Sequence, residues 1–159
     1  MFSHRVYVEP RPWHFVLLAV VVITAIGFSI YQKQWPTAYV NVSGDTFKVL
    51  VANTYARQVE GWSNKKNMGG YGGMLFTFSD YGQHAMVMRD MDFPLDIIWL
   101  DGNRIIDMAP NLPPAQHNIP ENELTPYFAR LSSTAVLELP AGFIVSHHLK
   151  IGDTITVGT

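Results

Sequence analysis

The sequence contains no cysteine among its 159 residues. Disulfides, thiolate metal sites and cysteine nucleophiles are therefore excluded. Charged side chains make up only 15% of the chain, and they divide unevenly. Residues 1–36 hold three Lys or Arg against one Glu, whereas residues 37–159 hold eight Lys or Arg against twelve acidic residues. Phosphate contacts need clustered cations, and the only adjacent pair of cations is Lys65-Lys66, so we expect no nucleic-acid partner.

Several motifs of known catalytic and cofactor sites are also missing. No Gly-x-Ser-x-Gly segment marks a nucleophile elbow. The glycine-rich segment at residues 67–73 lacks the strand and helix context of a phosphate-binding loop, so we predict a flexible connection there. No cofactor is predicted, and whether the protein is an enzyme stays open.

One long apolar run is present, at residues 13–31, and it has no charged residue from Phe15 to Ile30. As a helix these residues span roughly 28 Å, close to the thickness of a bilayer core. Trp13 and Tyr31 lie at its two ends, where aromatic residues favour the lipid–water interface. We predict an uncleaved transmembrane helix in contact with the lipid bilayer. A cleaved signal peptide is the alternative, although its apolar region is usually shorter.

The distribution of cations around this run predicts its orientation. Arg5 and Arg11 precede it and Lys33 follows it, which favours a cytoplasmic N-terminus. We therefore predict a single-pass membrane protein with a cytoplasmic tail (residues 1–12), a transmembrane helix (13–31), a linker (32–38) and an extracytoplasmic domain (39–159).

The domain shows the period-two pattern of β-strands, interrupted by short helical signals. Ser43-Gly44-Asp45-Thr46 predicts the turn of a first hairpin, and Asn53-Thr54 predicts the start of a helix over residues 55–60 that ends at Gly61. Further strands are predicted at residues 74–78, 84–89, 96–100, 104–108, 134–139 and 154–157, a second short helix at 141–148, and a long proline-containing loop at 109–133. The predicted fold class is α+β and mainly β.

Several short motifs follow one another along the domain, and each occurs once. They are Gly73-Met74-Leu75-Phe76-Thr77-Phe78, Met86-Val87-Met88-Arg89-Asp90, Pro94-Leu95-Asp96-Ile97-Ile98-Trp99-Leu100-Asp101, Val136-Leu137-Glu138-Leu139 with Ala141-Gly142, and Gly152-Asp153-Thr154-Ile155. In order and spacing they resemble the DUF192 (UPF0127) family, over about residues 46–157. The resemblance implies a compact, β-barrel-like α+β domain, and it implies no reaction. Together with the strand and helix signals above, the predicted architecture is a barrel-like antiparallel sheet with two short helices. Val87 stands where the family usually has Trp, and Asp90 where it usually has Asn.

One candidate site is a soft-metal site on the predicted strand at residues 84–89. Side chains alternate along a strand, so His84, Met86 and Met88 would share one face. Histidine with two methionines suits Cu(I). The alternative is that the two methionines fill the core, as methionine often does, and the family pattern, with Phe and Met at these positions, favours that alternative.

A second candidate site rests on carboxylates. Asp96 begins a predicted strand, and with Arg89 of the preceding strand it could form a charged pair that perturbs both groups. Two carboxylates on opposing strands could serve as acid and base in glycoside hydrolysis. The alternative is structural: Asp101 belongs to a turn, Asp92 and Asp107 are solvated, and the Asp96–Arg89 pair stabilises the fold.

The preferred hypothesis is a membrane-anchored binding or accessory module at the cell envelope, with an unknown envelope ligand or protein as its partner. The candidate ligand-binding residues are Met88, Arg89, Asp90 and Asp96. A weak hydrolase of an envelope polysaccharide that uses Asp carboxylates is the alternative from another class, and a copper binder that uses His84, Met86 and Met88 is a third.

Overall fold

The structure is a computed structural model that describes residues 11–158. Most of the predicted cytoplasmic tail, residues 1–10, therefore lies outside the described residues. The chain divides into two compact units, residues 1–35 and residues 36–159.

The first unit contains one long helix, α1 (Pro12–Lys33). Proline is favoured at the first position of a helix because its missing N–H needs no partner there. The Thr24 hydroxyl donates to the Val20 carbonyl at 2.8 Å, which satisfies a polar group within an apolar helix. The segment Pro12–Ser29 is long and apolar enough to cross a membrane, and a signal sequence near an N-terminus meets the same criterion. The helix also includes residues 32 and 33, which the sequence assigned to the linker.

The second unit is a curled, half-barrel-like β-sheet of seven strands. The strands are β1 (Thr37–Val42), β2 (Asp45–Ala52), β3 (Met74–Gly82), β4 (Leu95–Asp101), β5 (Arg104–Leu112), β6 (Ser133–Pro140) and β7 (Thr156–Gly158). The helices are α2 (Tyr55–Glu60), α3 (Phe143–Ser146) and a 3-10 turn at Glu121–Glu123. The strand order is β5-β4-β6-β3-β2-β1-β7. The α+β, mainly β prediction is confirmed, with one refinement: β2 and β3 pair in parallel, because α2 lies in the connection between them.

Local sequence explains the β1–β2 hairpin and α2. Ser43 and Gly44 both have positive φ, 52° and 96°, the backbone that a two-residue turn requires. Thr54 caps α2 by accepting a hydrogen bond from the Arg57 N–H at 3.4 Å, and Gly61 ends the helix at φ 46°. Both predictions are confirmed.

The two end strands of the sheet are joined by a short antiparallel contact. Ile105 N–H donates to the Asp153 carbonyl at 2.9 Å, and Ile155 N–H donates to the Asn103 carbonyl at 2.8 Å. The beginning of β5 is thus linked to the segment that leads into β7, which gives the sheet its barrel-like curl.

The two faces of the sheet bury different side chains. The inner face carries the main hydrophobic core, which includes Leu75, Ile98 and Leu137. Because side chains alternate along a strand, the neighbours of these residues, among them Met74 and Glu138, lie on the outer face. That face is also buried, since α2 and the irregular segments at residues 83–93 and 113–132 cover it.

The predicted strand at residues 84–89 is wrong. This segment forms one isolated bridge, in which Met86 and Tyr127 exchange hydrogen bonds of 2.9 and 2.8 Å. The facing segment contains Pro126 beside Tyr127, and a proline has no N–H with which to continue a ladder. The burial alternation nevertheless holds, because Met86 and Met88 are buried.

The predicted loop at residues 109–133 is shorter than expected. Residues 109–112 extend β5, and residue 133 begins β6. Pro110 is tolerated within β5 because this strand lies at one end of the sheet order. The helix predicted at residues 141–148 is likewise shorter, at Phe143–Ser146.

Candidate ligand-binding site

A cavity of about 280 Å³ lies on the outer face of the sheet, between β3 and β6 on one side and the covering segments on the other. Its floor includes Phe76, Phe78 and Glu138. In the sheet register Glu138 lies opposite Met74 of β3 and Ile97 of β4. Glu138 is therefore central in the sheet, which is an unusual place for an acidic side chain.

The cover of the cavity is tied to the sheet by hydrogen bonds. Gln58 of α2 donates from Nε2 to the Thr77 carbonyl at 2.9 Å. Ser63 donates from Oγ to the Arg89 carbonyl at 3.1 Å, and the Arg89 guanidinium donates from Nη1 to the Val59 carbonyl at 3.3 Å. These contacts hold the end of α2 and the segment around residue 89 at fixed positions around the cavity.

The walls of the cavity are mainly apolar. Trp62 packs edge-on against Phe93, with ring centroids 5.9 Å apart. The apolar lining residues are Val59, Trp62, Phe76, Phe78, Ala85, Met86, Val87 and Met91. The charged lining residues are Glu60, Arg89, Glu121 and Glu138. An apolar concavity with a few convergent polar groups is the usual form of a small-molecule site.

Glu138 is the most perturbed ionisable group at this site. Its side chain is only 3% exposed, and its Oε2 atom has no hydrogen-bond partner among the described residues. Burial disfavours the charged form of a carboxyl group and raises the pKa of Glu138 to about 8. At neutral pH the group is therefore mostly protonated, so that it carries no charge and has an O–H donor.

Two further lining residues carry buried polar atoms without a partner in the described part of the chain. They are Trp62 Nε1 and Arg89 Nε. The other two Arg89 guanidinium nitrogens each make a contact, since Nη1 donates to the Val59 carbonyl and Nη2 pairs with the Glu121 carboxylate. The residues that line the cavity thus include an indole, a guanidinium and a protonated carboxyl group, each with a buried polar atom that has no partner among the described residues.

Only one of the four predicted ligand-binding residues lines this cavity. Arg89 does so, but its partner is Glu121 and not Asp96. Met88 lines a second cavity of about 410 Å³, next to Pro113 and Tyr127.

Asp90 and Asp92 form a separate polar cluster with the long loop. Asp90 has a positive φ of 46° and accepts a hydrogen bond from the Asn118 N–H at 2.8 Å. Asp92 lies 2.8 Å from His117 Nε2, so it is exposed but not merely solvated. Neither aspartate lines either cavity.

Asp96 occupies a structural position. It is fully buried and faces a bulge in β5, where the register with β4 shifts. Its Oδ1 accepts from the Asn111 N–H at 2.7 Å and the Gly142 N–H at 3.1 Å, and its Oδ2 accepts from the Ile144 N–H at 2.7 Å. Both oxygens are thus occupied by backbone donors, and Asp96 lines neither cavity.

The expectation that Asp107 is solvated is wrong. Asp107 is buried and receives two hydrogen bonds from the Arg130 guanidinium, at 2.7 and 3.0 Å. The hydrogen bonds from Arg130 hold the pKa of Asp107 below its usual value, against the opposing effect of burial. This pair fastens the end of the long loop to β5.

The proposed copper ligands Met86 and Met88 line two different cavities. Met86 lines the smaller cavity and Met88 the larger one. The His84 ring stacks on Phe78, with centroids 3.5 Å apart and ring planes at 5°. Among the described residues no group of three or more His, Asp or Glu could hold a metal ion. The copper site stays a prediction, and Cu(I) titration of the wild type against His84→Ala tests it.

Sequence reasoning missed Glu138 and Trp62 as site residues. One signal for Glu138 was present, because a glutamate interrupts the apolar run Val136-Leu137-Glu138-Leu139, and a charge inside a buried strand needs an explanation. Trp62 gave no comparable signal, since an aromatic residue after a helix is ordinary in a core.

The family model DUF192, described as "Uncharacterized ACR", matches residues 38–157. The chain belongs to the DUF192 family. A search of curated proteins gave no significant match.

Two solved structures are similar to this chain. A protein of unknown function from Novosphingobium aromaticivorans DSM 12444 is 28% identical, with a TM-score of 0.64 over 76% of this chain and 83% of that one. A Sinorhizobium meliloti 1021 protein that carries the description "putative transcription regulator" is 24% identical, with a TM-score of 0.65 over 78% of this chain and 95% of that one. The second likeness shows the fold alone.

Proposed function

We propose that this DUF192 protein is a membrane-anchored module that binds a small organic ligand at the extracytoplasmic surface of the cell. One observation carries the binding function: three lining residues of a single apolar cavity, Trp62, Arg89 and Glu138, each have a buried polar atom without a partner among the described residues. A buried polar group without a hydrogen bond costs about 1–3 kcal/mol. Three such groups around one cavity are explained if a ligand supplies the missing bonds.

The anchoring part of the proposal rests on α1. The helix is apolar on all sides and exposed along Pro12–Ser29, which is the character of a membrane span. The cation bias around it favours a cytoplasmic N-terminus. The absence of cysteine fits a domain that works in an oxidising compartment.

The binding proposal is tested with the full chain in detergent micelles, labelled with ¹⁵N. Small neutral, anionic and cationic fragments are added one at a time, and the NMR signals of the tryptophan indole N–H groups are recorded. The signal of Trp62 is identified as the one that is missing from the spectrum of Trp62→Phe. We expect at least one fragment to shift the Trp62 signal.

Two matched variants locate the binding. Val87 lines the cavity, so Val87→Trp narrows it and should abolish the shift. Val145 is exposed on α3 and lines neither cavity, so Val145→Trp should keep the shift. If no fragment moves the Trp62 signal, or if Val87→Trp binds as the wild type does, the cavity is not a ligand site.

A hydrolase is the second candidate, because Glu138 has the raised pKa of a general acid. Glu60 and Glu121 line the same cavity, each paired with a cation, Lys65 at 3.0 Å and Arg89 respectively. In this form of the hypothesis Glu138 takes the role that the sequence suggested for Asp96. Chromogenic aryl glycosides test it: a turnover that falls about 10²-fold or more in Glu138→Gln supports acid catalysis, and unchanged turnover removes Glu138 from the mechanism.

A further inference from the structure

The proposed cavity holds an unusual set of hydrogen-bonding groups, because its unpartnered nitrogen atoms are both donors. An indole Nε1 and a guanidinium Nε each carry one hydrogen and have no acceptor lone pair available. Trp62 Nε1 and Arg89 Nε are both buried without a partner in the described chain. A ligand that satisfies them must therefore present acceptors, which excludes an ammonium group at this position.

We propose, resting on the binding function above, that the cavity takes a small organic monocarboxylate. Its carboxylate would accept hydrogen bonds from Trp62, Arg89 and the carboxyl group of Glu138, and its apolar body would lie against the aromatic and methionine walls. Two carboxylate oxygens provide about four lone-pair sites, which is enough for three donors.

Arg89 is the one cation among the described residues that line the cavity. Five ionisable residues line it, namely Tyr55, Glu60, Arg89, Glu121 and Glu138. Glu60 is paired with Lys65. The Glu121 side chain is 70% exposed, whereas the Arg89 side chain is 22% exposed. Water screens an exposed charge more than a buried one. A ligand in the cavity should therefore interact more weakly with the Glu121 carboxylate than with the Arg89 guanidinium.

Glu138 completes the donor set because it is protonated at neutral pH. Its raised pKa has one cause, burial, and its Oε2 atom lacks a partner. A protonated Glu138 donates to the bound carboxylate, whereas an ionised Glu138 repels it. Binding of a monocarboxylate must therefore weaken as the pH rises through about 8.

The size of the cavity limits the ligand. A volume of about 280 Å³ corresponds to roughly nine water molecules at about 30 Å³ each. This suits a carboxylic acid of about eight to ten non-hydrogen atoms, such as 4-methylpentanoate or phenylacetate.

The test compares three probes that share one body: phenylacetate, phenylacetamide and phenethylamine, followed by the same head groups on the 4-methylpentyl skeleton. Binding to the full chain in detergent at pH 6.5 is measured by the Trp62 indole signal. For at least one body we expect the carboxylate to bind at least tenfold more tightly than the amide and the amine. We also expect the wild type to bind that carboxylate at least tenfold more weakly at pH 9.5 than at pH 6.5.

Three variants separate this proposal from a purely apolar site. Glu138→Gln keeps an N–H donor without a titrating proton, so its binding should vary less than threefold over the same pH range. Arg89→Lys keeps the charge but removes Nε, so its affinity should fall at least tenfold. Arg104→Lys, outside the cavity, should bind as the wild type does.

The outcomes distinguish two claims: that the cavity binds a small ligand, and that this ligand is a monocarboxylate. If amide or amine probes, or other fragments, shift the Trp62 signal as strongly as the carboxylates, the cavity is a ligand site but the monocarboxylate assignment is overturned. The assignment is also overturned if neither carboxylate shifts the signal, or if binding is independent of pH. If no fragment of any class shifts the signal, the binding function itself is wrong.

Discussion

At the residue scale, Glu138 is the side chain whose chemistry depends most on its surroundings. Nothing on β6 itself perturbs it, since its neighbours Leu137 and Leu139 are apolar. Burial beneath the covering segments alone raises its pKa to about 8. The consequence is a dependence of folding stability on pH as well as a donor for a ligand.

The substitution Glu138→Gln should stabilise the protein at alkaline pH. The folded pKa of Glu138 lies above the unfolded value, so its contribution to stability is fully present below about pH 4.5 and is lost as the pH rises to about 8. The loss is about 1.4 kcal/mol per pH unit at most. Glutamine does not titrate, so the free energy of unfolding of the variant, relative to that of the wild type, should rise steadily from pH 5 to pH 8.

Urea unfolding of the full chain in detergent, followed by circular dichroism at several pH values, measures this difference. Glu123→Gln is the control, since Glu123 is exposed and its substitution should leave the pH profile unchanged. A Glu138→Gln curve parallel to that of the wild type would contradict the raised pKa.

Position 73 requires glycine because its backbone lies so close to the backbone of β6 at Glu138 that a Cβ atom would not fit. A Cβ atom added at Gly73 would lie 2.3 Å from the Glu138 carbonyl oxygen and 2.9 Å from Leu139 Cδ2. The carbonyl cannot move without shifting β6, so Gly73→Ala should destabilise the domain by about 1–3 kcal/mol. Because Gly73 abuts Glu138, the variant should also disturb the cavity.

Gly158→Ala is the matched control for Gly73. Its added Cβ would meet only the Tyr39 carbonyl oxygen, at 3.9 Å, which is an ordinary contact. Urea midpoints of the two variants should therefore differ, and equal midpoints would show that the β3–β6 contact adjusts freely.

At the element scale, Asp96 connects three parts of the fold. From the buried strand β4 it accepts one N–H from the bulge of β5, at Asn111, and two from the start of α3, at Gly142 and Ile144. The bulge leaves a backbone donor that the strand ladder does not use. The position where the sequence suggested catalysis is thus one where a carboxylate satisfies irregular backbone.

The substitution Asp96→Asn should be strongly destabilising. An amide offers one acceptor oxygen, and its NH₂ group would face an N–H donor, so at least one buried backbone N–H loses its partner. The expected cost is about 1–3 kcal/mol, measured as the free energy of unfolding in urea. Asp101→Asn, at the exposed last residue of β4, should cost far less, and similar values for both variants would exclude the connecting role.

At the scale of the whole molecule, the absence of cysteine gives a direct test of topology. We expect a cytoplasmic N-terminus and an extracytoplasmic domain. Lys66→Cys, in an exposed loop of the domain, should react in intact bacterial cells with a maleimide that cannot cross membranes. Ser3→Cys, in the N-terminal tail, should react only after the cells are permeabilised.

Two results would contradict that topology. Labelling of Ser3→Cys but not of Lys66→Cys in intact cells would reverse the orientation. Recovery of the Lys66→Cys domain in the soluble fraction, without the first helix, would identify α1 as a cleaved signal sequence.

Much of the architecture follows from local sequence. The β1–β2 turn needs only two residues that accept positive φ, Ser43 and Gly44, and α2 needs only the Thr54 cap and Gly61. By contrast, residues 84–89 have the alternation of a strand but lack a neighbour that can pair along their length. A segment becomes a strand only when a neighbouring segment pairs with its backbone, and the local sequence does not show which neighbour the fold supplies.

The sequence by itself determined the apolar helix, the β-rich domain and the family, because these depend on composition, period and short motifs. Only the tertiary structure showed which residues line the candidate site. Of the predicted ligand residues only Arg89 lines the smaller cavity, and its companions Trp62 and Glu138 come from distant parts of the chain. Burial, the unpartnered donors and the raised pKa of Glu138 arise from packing between α2, β3, β6 and the covering segments, and no local pattern encodes such packing.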